Sequence, residues 1–288
     1  MPAFPHGAFT AECPWPAPAK LNLFLHVTGR RPDGYHQLQT VFQFLDYGDS
    51  LFFTPRGDTE IRRVEGPRSI PPEQDLVVRA ARAIQRASGC RLGAEIRIDK
   101  RIPVGGGLGG GSSDAATTLV ALNRLWNLGL TTDELATLGL ALGADVPVFV
   151  RGHAAWAEGI GERLTAVELP ESWFVVLTPP VAVATREIFG APELERHSTP
   201  VTLADFLAGR TGNVCEPVTC QRYPQVAAAL AWLRRFGDAR MSGTGASVFL
   251  PCTTRAQAAD IAAQAPSDWH RIVARGLNRS PLHAAAQR

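Results

Sequence analysis

Six glycines crowd into the eleven residues Pro103-Val104-Gly105-Gly106-Gly107-Leu108-Gly109-Gly110-Gly111-Ser112-Ser113. Glycine packs nothing and loses more conformational entropy on folding than other residues, so a purely structural loop has no need of six. A backbone that must approach a ligand closely does need them. The amides of such a loop, with the free N–H groups opening a following helix, make a positive cradle for phosphate. The first expectation is a nucleotide- or phosphate-binding enzyme.

The flanking residues narrow the type of loop. No Gly-Lys-Ser/Thr closes it, so it is not a P-loop of the Walker kind. The dinucleotide spacing Gly105-x-Gly107-x-x-Gly110 is met, but so glycine-rich a run meets it almost automatically. The strand pattern before it, Ala94 to Asp99, alternates apolar residues with Glu95, Arg97 and Asp99. That is a half-exposed strand of an antiparallel sheet, unlike the continuously apolar first strand of a dinucleotide fold. No Asp-Phe-Gly occurs, which argues against a protein-kinase loop. What remains is a phosphate loop set between an antiparallel-sheet strand and a helix.

Several elements have to position this loop. Lys20 to Val27 alternates as a strand, with Leu21, Leu23, Leu25 and Val27 on one face and Lys20, Asn22, Phe24 and His26 on the other. Arg31-Pro-Asp-Gly34 is a turn signal, and further strands are expected at Val41–Leu45 and Ser50–Thr54. Asp75 to Arg86 reads as an amphipathic helix, capped by Asp75 and closed by Gly89. A helix from Asp114 to about Leu128 follows the glycine loop. Thr131-Thr-Asp-Glu134 has the spacing of a capping box for the next helix, which ends at Gly143. Ala154–Glu158 and Leu164–Leu169 read as a hairpin. Pro170 marks a boundary between residues 1–169, carrying the phosphate loop, and a second α+β part, residues 170–288. In the latter, strands are expected at Trp173–Thr178, Ser247–Leu250 and Arg271–Ala274, and helices near Leu203–Leu207, Gln225–Phe236 and Arg255–Gln264.

Bulk properties exclude other classes. The 288 residues suffice for two domains, and 45% hydrophobic with 19% charged residues is a globular profile. A formal charge of +2 with scattered arginines gives no electrostatic footprint for nucleic acid. The five cysteines form no Cys-x-x-Cys and read as free thiols of a cytoplasmic protein. The proline-rich start, Met1 to Pro18, lacks the pattern of a signal peptide, and about its first fifteen residues read as a flexible extension. No stretch is long enough to cross a bilayer.

Taken together, Pro16-x-Pro-Ala-Lys-Leu-Asn-Leu23, Asp33-Gly-Tyr-His36, Gly105 to Ser113, Gly143-Ala-Asp-Val-Pro-Val-Phe149 and Gly243-Thr-Gly-Ala246 resemble the galactokinase–homoserine kinase–mevalonate kinase–phosphomevalonate kinase (GHMP) family. The motifs run in order from about Pro16 to the C-terminus. The resemblance implies an α+β fold with an N-terminal domain containing a left-handed βαβ unit, a ferredoxin-like C-terminal domain, and an active site in the cleft between them. It also implies ATP as co-substrate, with Mg2+, and transfer of phosphate to an alcohol. The Asp33-Gly-Tyr-His36 segment points to the branch whose alcohol is the 2-hydroxyl of a cytidyl-diphosphate ester of methylerythritol, in the non-mevalonate route to isoprenoid precursors.

By resemblance, Lys20 and Asp145 are the catalytic pair, Asp145 as base and Lys20 as its electrostatic partner. On residue type alone, Lys20 is a strand lysine and Asp145 a turn former before Pro147. Pro103, Val104, Gly105, Gly106, Gly107, Leu108, Gly109, Gly110, Gly111, Ser112 and Ser113 are expected to surround ATP, with Lys100 and Leu76 near adenine. The two serines also suit N-capping of the following helix. Asn22, Tyr35, His36, Thr185 and Phe189 are expected at the cytidyl substrate. Tyr35 and Phe189 would stack on the base, and His36 would hydrogen-bond its edge. Gly243, Thr244 and Gly245 would close the cleft. Asp75 stands where the family carries Asn; it caps a helix equally well but cannot donate to a purine. No carboxylate cage for magnesium is visible, and neither Asp114 nor Asp145 is assigned as a ligand. The alternatives are a homoserine- or mevalonate-type kinase of the same family, a non-catalytic RNA-binding protein, and, last, a dinucleotide-dependent oxidoreductase.

Overall fold

The computed structural model describes residues 13–286, so most of the N-terminal extension lies outside the described residues. The chain opens with two long strands, β1 (Trp15–Arg30) and β2 (His36–Arg56), paired antiparallel through the Arg31–Gly34 turn. The expected strands Val41–Leu45 and Ser50–Thr54 are parts of this single β2. Its polar middle does not break it because the carboxylates there are satisfied by neighbouring backbone. Asp46 accepts from the Arg275 amide, and Asp49 accepts from the amides of Arg101 and Ile102.

A parallel βαβ unit follows: β3 (Ile61–Glu65), α1 (Leu76–Ser88) and β4 (Gly93–Asp99). Asp75 caps α1 through the Val77 amide, and the carboxylate also holds Arg63. The glycine loop then leads into α2 (Gly110–Leu125), α3 (Thr132–Leu140) and α4 (Val146–Arg151). The capping box Thr131/Glu134 forms as its spacing predicts. The hairpin β5 (Ala155–Glu158) and β6 (Arg163–Ala166) returns to β2. Beyond it come β7 (Trp173–Thr178), α5 (Thr185–Gly190), α6 (Leu203–Leu207), α7 (Cys215–Arg222) and α8 (Pro224–Leu233). The chain ends with β8 (Arg240–Met241), β9 (Val248–Cys252), α9 (Arg255–Gln264), β10 (His270–Leu277) and α10 (Pro281–Ala286).

The strands form one mixed sheet in the order β3-β4-β2-β10-β7-β9-β8, with β1 and the β5–β6 hairpin attached through β2. The two halves are joined where Gly276 and Leu277 pair with Leu45 and Phe44. One apolar core lies between α1–α4 and the first strands; a second lies between α7–α9 and the last strands. Leu282 of α10 returns to the first core. Helix α2 is buried from Ser113 to Leu122. Each fully buried leucine in it, such as Leu119 or Leu122, contributes about 1.5–3 kcal/mol, so the helix start is held rigidly under the glycine loop.

Two expectations are corrected. The strict alternation of β1 ends at Asn22, because a bulge between Asn22 and Leu25 sets three steps of β1 against two of β2. The extra residue reverses the faces. Leu25 and Val27 join the side that carries Lys20 and Asn22 and enter the second core, while Phe24 turns to Trp156 and Phe206. Helices α4, α5, α7 and α10 were not expected. Their six to eight residues are too short to display an apolar period, and in α4 and α7 Pro147 and Pro217 sit inside the first turn, where proline is tolerated.

All five cysteines are free, and burial pushes the Cys215 thiol up to about 12. No helix among the described residues is long and apolar enough to cross a membrane.

Candidate active site

One cleft of about 820 Å3 collects nearly every residue singled out from the sequence. Lys20, Asn22, Tyr35, His36, Leu76, Lys100, Asp145, Thr185, Phe189, Gly243 and Thr244 line it, as do residues 103–112. Ser113 does not. It is fully buried, and its Oγ has no partner. The serines are not caps either. Helix α2 begins at Gly110 with Gly109 in the cap position, so Ser112 and Ser113 are its third and fourth residues.

The loop is held from both sides by hydrogen bonds to its carbonyls that the sequence did not reveal. Lys20 N donates to Leu108 O (3.0 Å), Ser247 N to Gly106 O (2.9 Å) and Ser242 Oγ to Gly107 O (3.0 Å). Gly107 has φ +75, and a Cβ there would lie 2.6 Å from Ser242 O and 2.7 Å from Gly245 O. Gly109 has φ +73, and a Cβ would press on Phe149 and the Lys20 stem. Close approach to a ligand is therefore only part of the reason for glycine here; the neighbouring protein backbone demands it as well. Gly107→Ala is expected to cost about 1–3 kcal/mol of stability through strain and clash. It should also weaken ATP binding, with a lower melting temperature and a smaller ATP-induced shift in the same thermal scan.

The first intrahelical bond of α2 is Ser113 N to Gly109 O (2.8 Å), so the amides before it point into the cleft without an intrahelical acceptor. The partial positive charge of the helix start adds to them. Lys100 lies against Gly110 but is not a free cation. Its Nζ bridges Asp49 Oδ2 (2.6 Å) and Asp114 Oδ2 (2.7 Å). Burial, with Asp49 nearby, pushes the Asp114 carboxyl up to about 8 against the pull of Lys100. The triad ties the strand end before the loop, through Asp49, to the helix after it. Asp49 went unnoticed in the sequence because it lies in mid-strand, 51 residues from Lys100.

Lys20 is buried on β1 and aimed by its surroundings. Its Nζ donates to Asn22 Oδ1, reaches toward Gly107 O (3.5 Å), and stands 3.3 Å from Asp145 Oδ2. Asn22 in turn donates from Nδ2 to Thr40 Oγ1 (3.0 Å), so its amide is oriented by β2. Asp145 occupies the cap position of α4 yet makes no capping bond; about a third exposed, its carboxylate turns to Lys20 instead. A close ammonium–carboxylate pair is thus set beside a helix start and a glycine loop.

Elsewhere in the cleft, Tyr35 is exposed on the turn, and His36 stacks on Phe189 (centroids 5.2 Å, 26°). One face of Phe189 is therefore taken by His36. Thr185 Oγ1 meets Thr244 Oγ1 (3.2 Å), bringing α5 to the 241–247 turn. Pro67, Ile70 and Gln74 line the cleft with Leu76 and Val104, and Arg30 lines it with Tyr35. The sequence had singled out none of these four. They lie in loops, in a single 3-10 turn (Pro72–Gln74) or at a strand end, where no periodicity marks them.

Such a cleft can bind a polyphosphate on main-chain amides, hold a carboxylate next to a cation, and place a flat ring against aromatic side chains. A model of the GHMP kinases N terminal domain matches residues 75–153, and one of the GHMP kinases C terminal domain matches residues 193–271. Among curated proteins, the 4-diphosphocytidyl-2-C-methyl-D-erythritol kinase of Alkalilimnicola ehrlichii is 59% identical, spanning 93% of this chain and 92% of its own. The protein of the same name from Nitrosococcus oceani is 58% identical, over 93% of this chain and 96% of its own. A crystal structure of a 4-(cytidine 5'-diphospho)-2C-methyl-D-erythritol kinase superposes with a TM-score of 0.80 at 32% identity, covering 92% of this chain and 99% of that one. Mevalonate kinase of Methanococcus jannaschii, at 16% identity and a TM-score of 0.69, shares the fold.

Proposed function

The chain belongs to the GHMP kinases and, among them, to the 4-diphosphocytidyl-2-C-methyl-D-erythritol kinases, and from that membership we propose how its residues carry the reaction. It is a kinase that spends ATP to phosphorylate 4-diphosphocytidyl-2-C-methyl-D-erythritol in the methylerythritol phosphate pathway. The acceptor is the 2-hydroxyl. Its oxygen bonds to the γ-phosphorus as the bond to the bridging oxygen of ADP breaks, and its proton passes to Asp145. Lys20 faces the negative charge of the moving phosphoryl group. Phosphoryl transfer asks little of the protein beyond such positioning and charge stabilisation.

The observation that carries this assignment is the 3.3 Å contact of Lys20 Nζ with Asp145 Oδ2 in the cleft that the glycine loop lines. Amides of residues 105–112 take the triphosphate. Leu76, Val104 and the residues before α1 receive adenine, with Asp75 engaged by Arg63 and its cap instead. The cytosine lies against Tyr35 and His36, with Phe189 behind the imidazole. Residues 1–169 carry the nucleotide and residues 170–288 close the cleft.

Magnesium is part of this proposal. Among the described residues no cluster of three or more His, Cys, Asp or Glu could hold a metal ion. The donor set suits an ion that arrives on the triphosphate, because Mg2+ keeps few protein ligands and several waters. Carried on the triphosphate, the ion would neutralise phosphate charge beside the glycine loop. The free thiols fit a cytoplasmic enzyme.

The direct test is ADP release coupled to a spectroscopic readout, with the cytidyl substrate, homoserine and mevalonate as acceptors and with magnesium present or chelated. Turnover confined to the cytidyl substrate and dependent on magnesium is expected. Turnover with homoserine or mevalonate alone would refute the substrate assignment. In the same assay Tyr35→Ala should raise KM for the cytidyl substrate about tenfold or more, since stacking of a base on an aromatic ring is worth roughly 1–3 kcal/mol. KM for ATP should stay within about twofold of wild type; a matching rise in both would remove Tyr35 from the base site.

A further inference from the structure

Arg196, which follows α5 on an irregular segment, is a side chain that sequence reasoning passed over, 160 residues from the histidine it touches. Its Nε–H donates to His36 Nε2 (3.1 Å). Its other donors go to the carbonyls of Leu194 (3.0 Å), Phe189 (3.0 Å) and Ala191 (2.6 Å). Among the described residues no carboxylate lies within ion-pair distance of it. The guanidinium is held by neutral acceptors, with its charge left facing the imidazole.

The chemistry of the pair permits one arrangement. A guanidinium donates and never accepts. Nε2 of His36 must therefore present its lone pair, and the proton of the neutral ring sits on Nδ1. Protonating Nε2 would set two N–H groups against each other next to a fixed positive charge. Burial, then the charges of Arg196 and of Arg30 opposite His36 in the β1–β2 register, hold the imidazole below its usual pKa. The ring plane is set by Phe189. Nδ1 has no protein partner among the described residues, and His36 lines the cleft.

We propose that Arg196 is a specificity-positioning residue: it locks His36 as the Nδ1–H tautomer, so that the base end of the cleft presents an N–H donor and selects a pyrimidine whose facing ring edge accepts. Cytosine meets that demand at N3, whose lone pair is free. Uracil carries a proton on N3, so an N–H placed against that ring nitrogen meets a donor instead of an acceptor. The proposal rests on the placement of the cytosine against Tyr35 and His36, and it adds the reason that a cytidyl group is taken over a uridyl one. Arg196 acts through His36 and does not itself need to touch the substrate.

The test uses the full-length enzyme labelled with 15N-histidine. Multiple-bond 1H–15N spectra identify which ring nitrogen of His36 carries the proton, and kinetics compare the cytidyl substrate with its uridyl analogue. In the wild type His36 is expected as the Nδ1–H tautomer. Arg196→Ala should shift it toward the Nε2–H form that a free histidine side chain prefers. KM for the cytidyl substrate should rise about tenfold, the worth of one hydrogen bond, with kcat changed less than about twofold and the cytidyl-over-uridyl preference reduced by about the same factor. Arg196→Lys, which can still donate to Nε2, should keep the wild-type tautomer and most of the preference. A wild-type His36 protonated on Nε2, or an unchanged tautomer and preference in a folded Arg196→Ala enzyme, overturns the proposal. His36→Ala with undiminished preference would instead overturn the placement of the base, and the two failures are told apart because the tautomer is read without any substrate.

Discussion

Asp145→Asn lowers kcat by about 10²- to 10⁴-fold, the range expected when a positioned proton acceptor is lost. Asparagine matches the shape of aspartate but takes no proton from the attacking alcohol. The fold should be indifferent to the change, because Asp145 makes no capping bond to α4 and is partly exposed. ATP binding should persist, since the amides of the glycine loop and the start of α2 are untouched. Single-turnover kinetics with calorimetric titration of ATP would check both halves. A folded Asp145→Asn enzyme that turns over within a few-fold of wild type would falsify the assignment of this residue as the base.

Lys20→Met is the second large effect, a loss in kcat of about 10²- to 10³-fold, comparable to removal of one preorganised donor aimed at developing charge. The stem of Lys20 is buried and its Nζ stands 5.2 Å from the centre of the Phe42 ring, so methionine fills the same space without the charge. Two unit charges at 3.3 Å, the distance to Asp145, attract by about 5 kcal/mol at an effective dielectric near 20, before desolvation is counted. The Lys20→Met/Asp145→Asn double variant should be little slower than Asp145→Asn alone, because the two side chains act on one proton and one phosphoryl group. Multiplicative losses would mean that they work independently. A Lys20→Met enzyme with normal turnover but a strongly raised KM for ATP would make Lys20 a ground-state phosphate ligand.

How much of the site was legible follows from where its residues sit. The glycine run announced itself through composition, and its place between a half-exposed strand and a helix was read from periodicity. Asp75 and Thr131 were recognisable as caps because a cap bonds to a backbone only two or three residues away. The β1 bulge was not legible. One extra residue leaves the local pattern looking alternate, and only the register against β2 reveals the reversal at Leu25. Asp49 and Arg196 were equally hidden. Each is an ordinary charged residue until the chain brings it to Lys100 or His36.

The amino-acid order by itself settled the composition of the phosphate loop, the nearby helix caps and the set of motifs that mark the family, since each depends on residues close together along the chain or on residue type alone. Tertiary structure decided the rest. It put Lys20 beside Asp145 across 125 positions, pressed Gly107 against the 241–247 turn and fitted Arg196 to the imidazole of His36. Distances of a few ångströms between remote residues depend on strand register and core packing, which act only once the whole chain has folded.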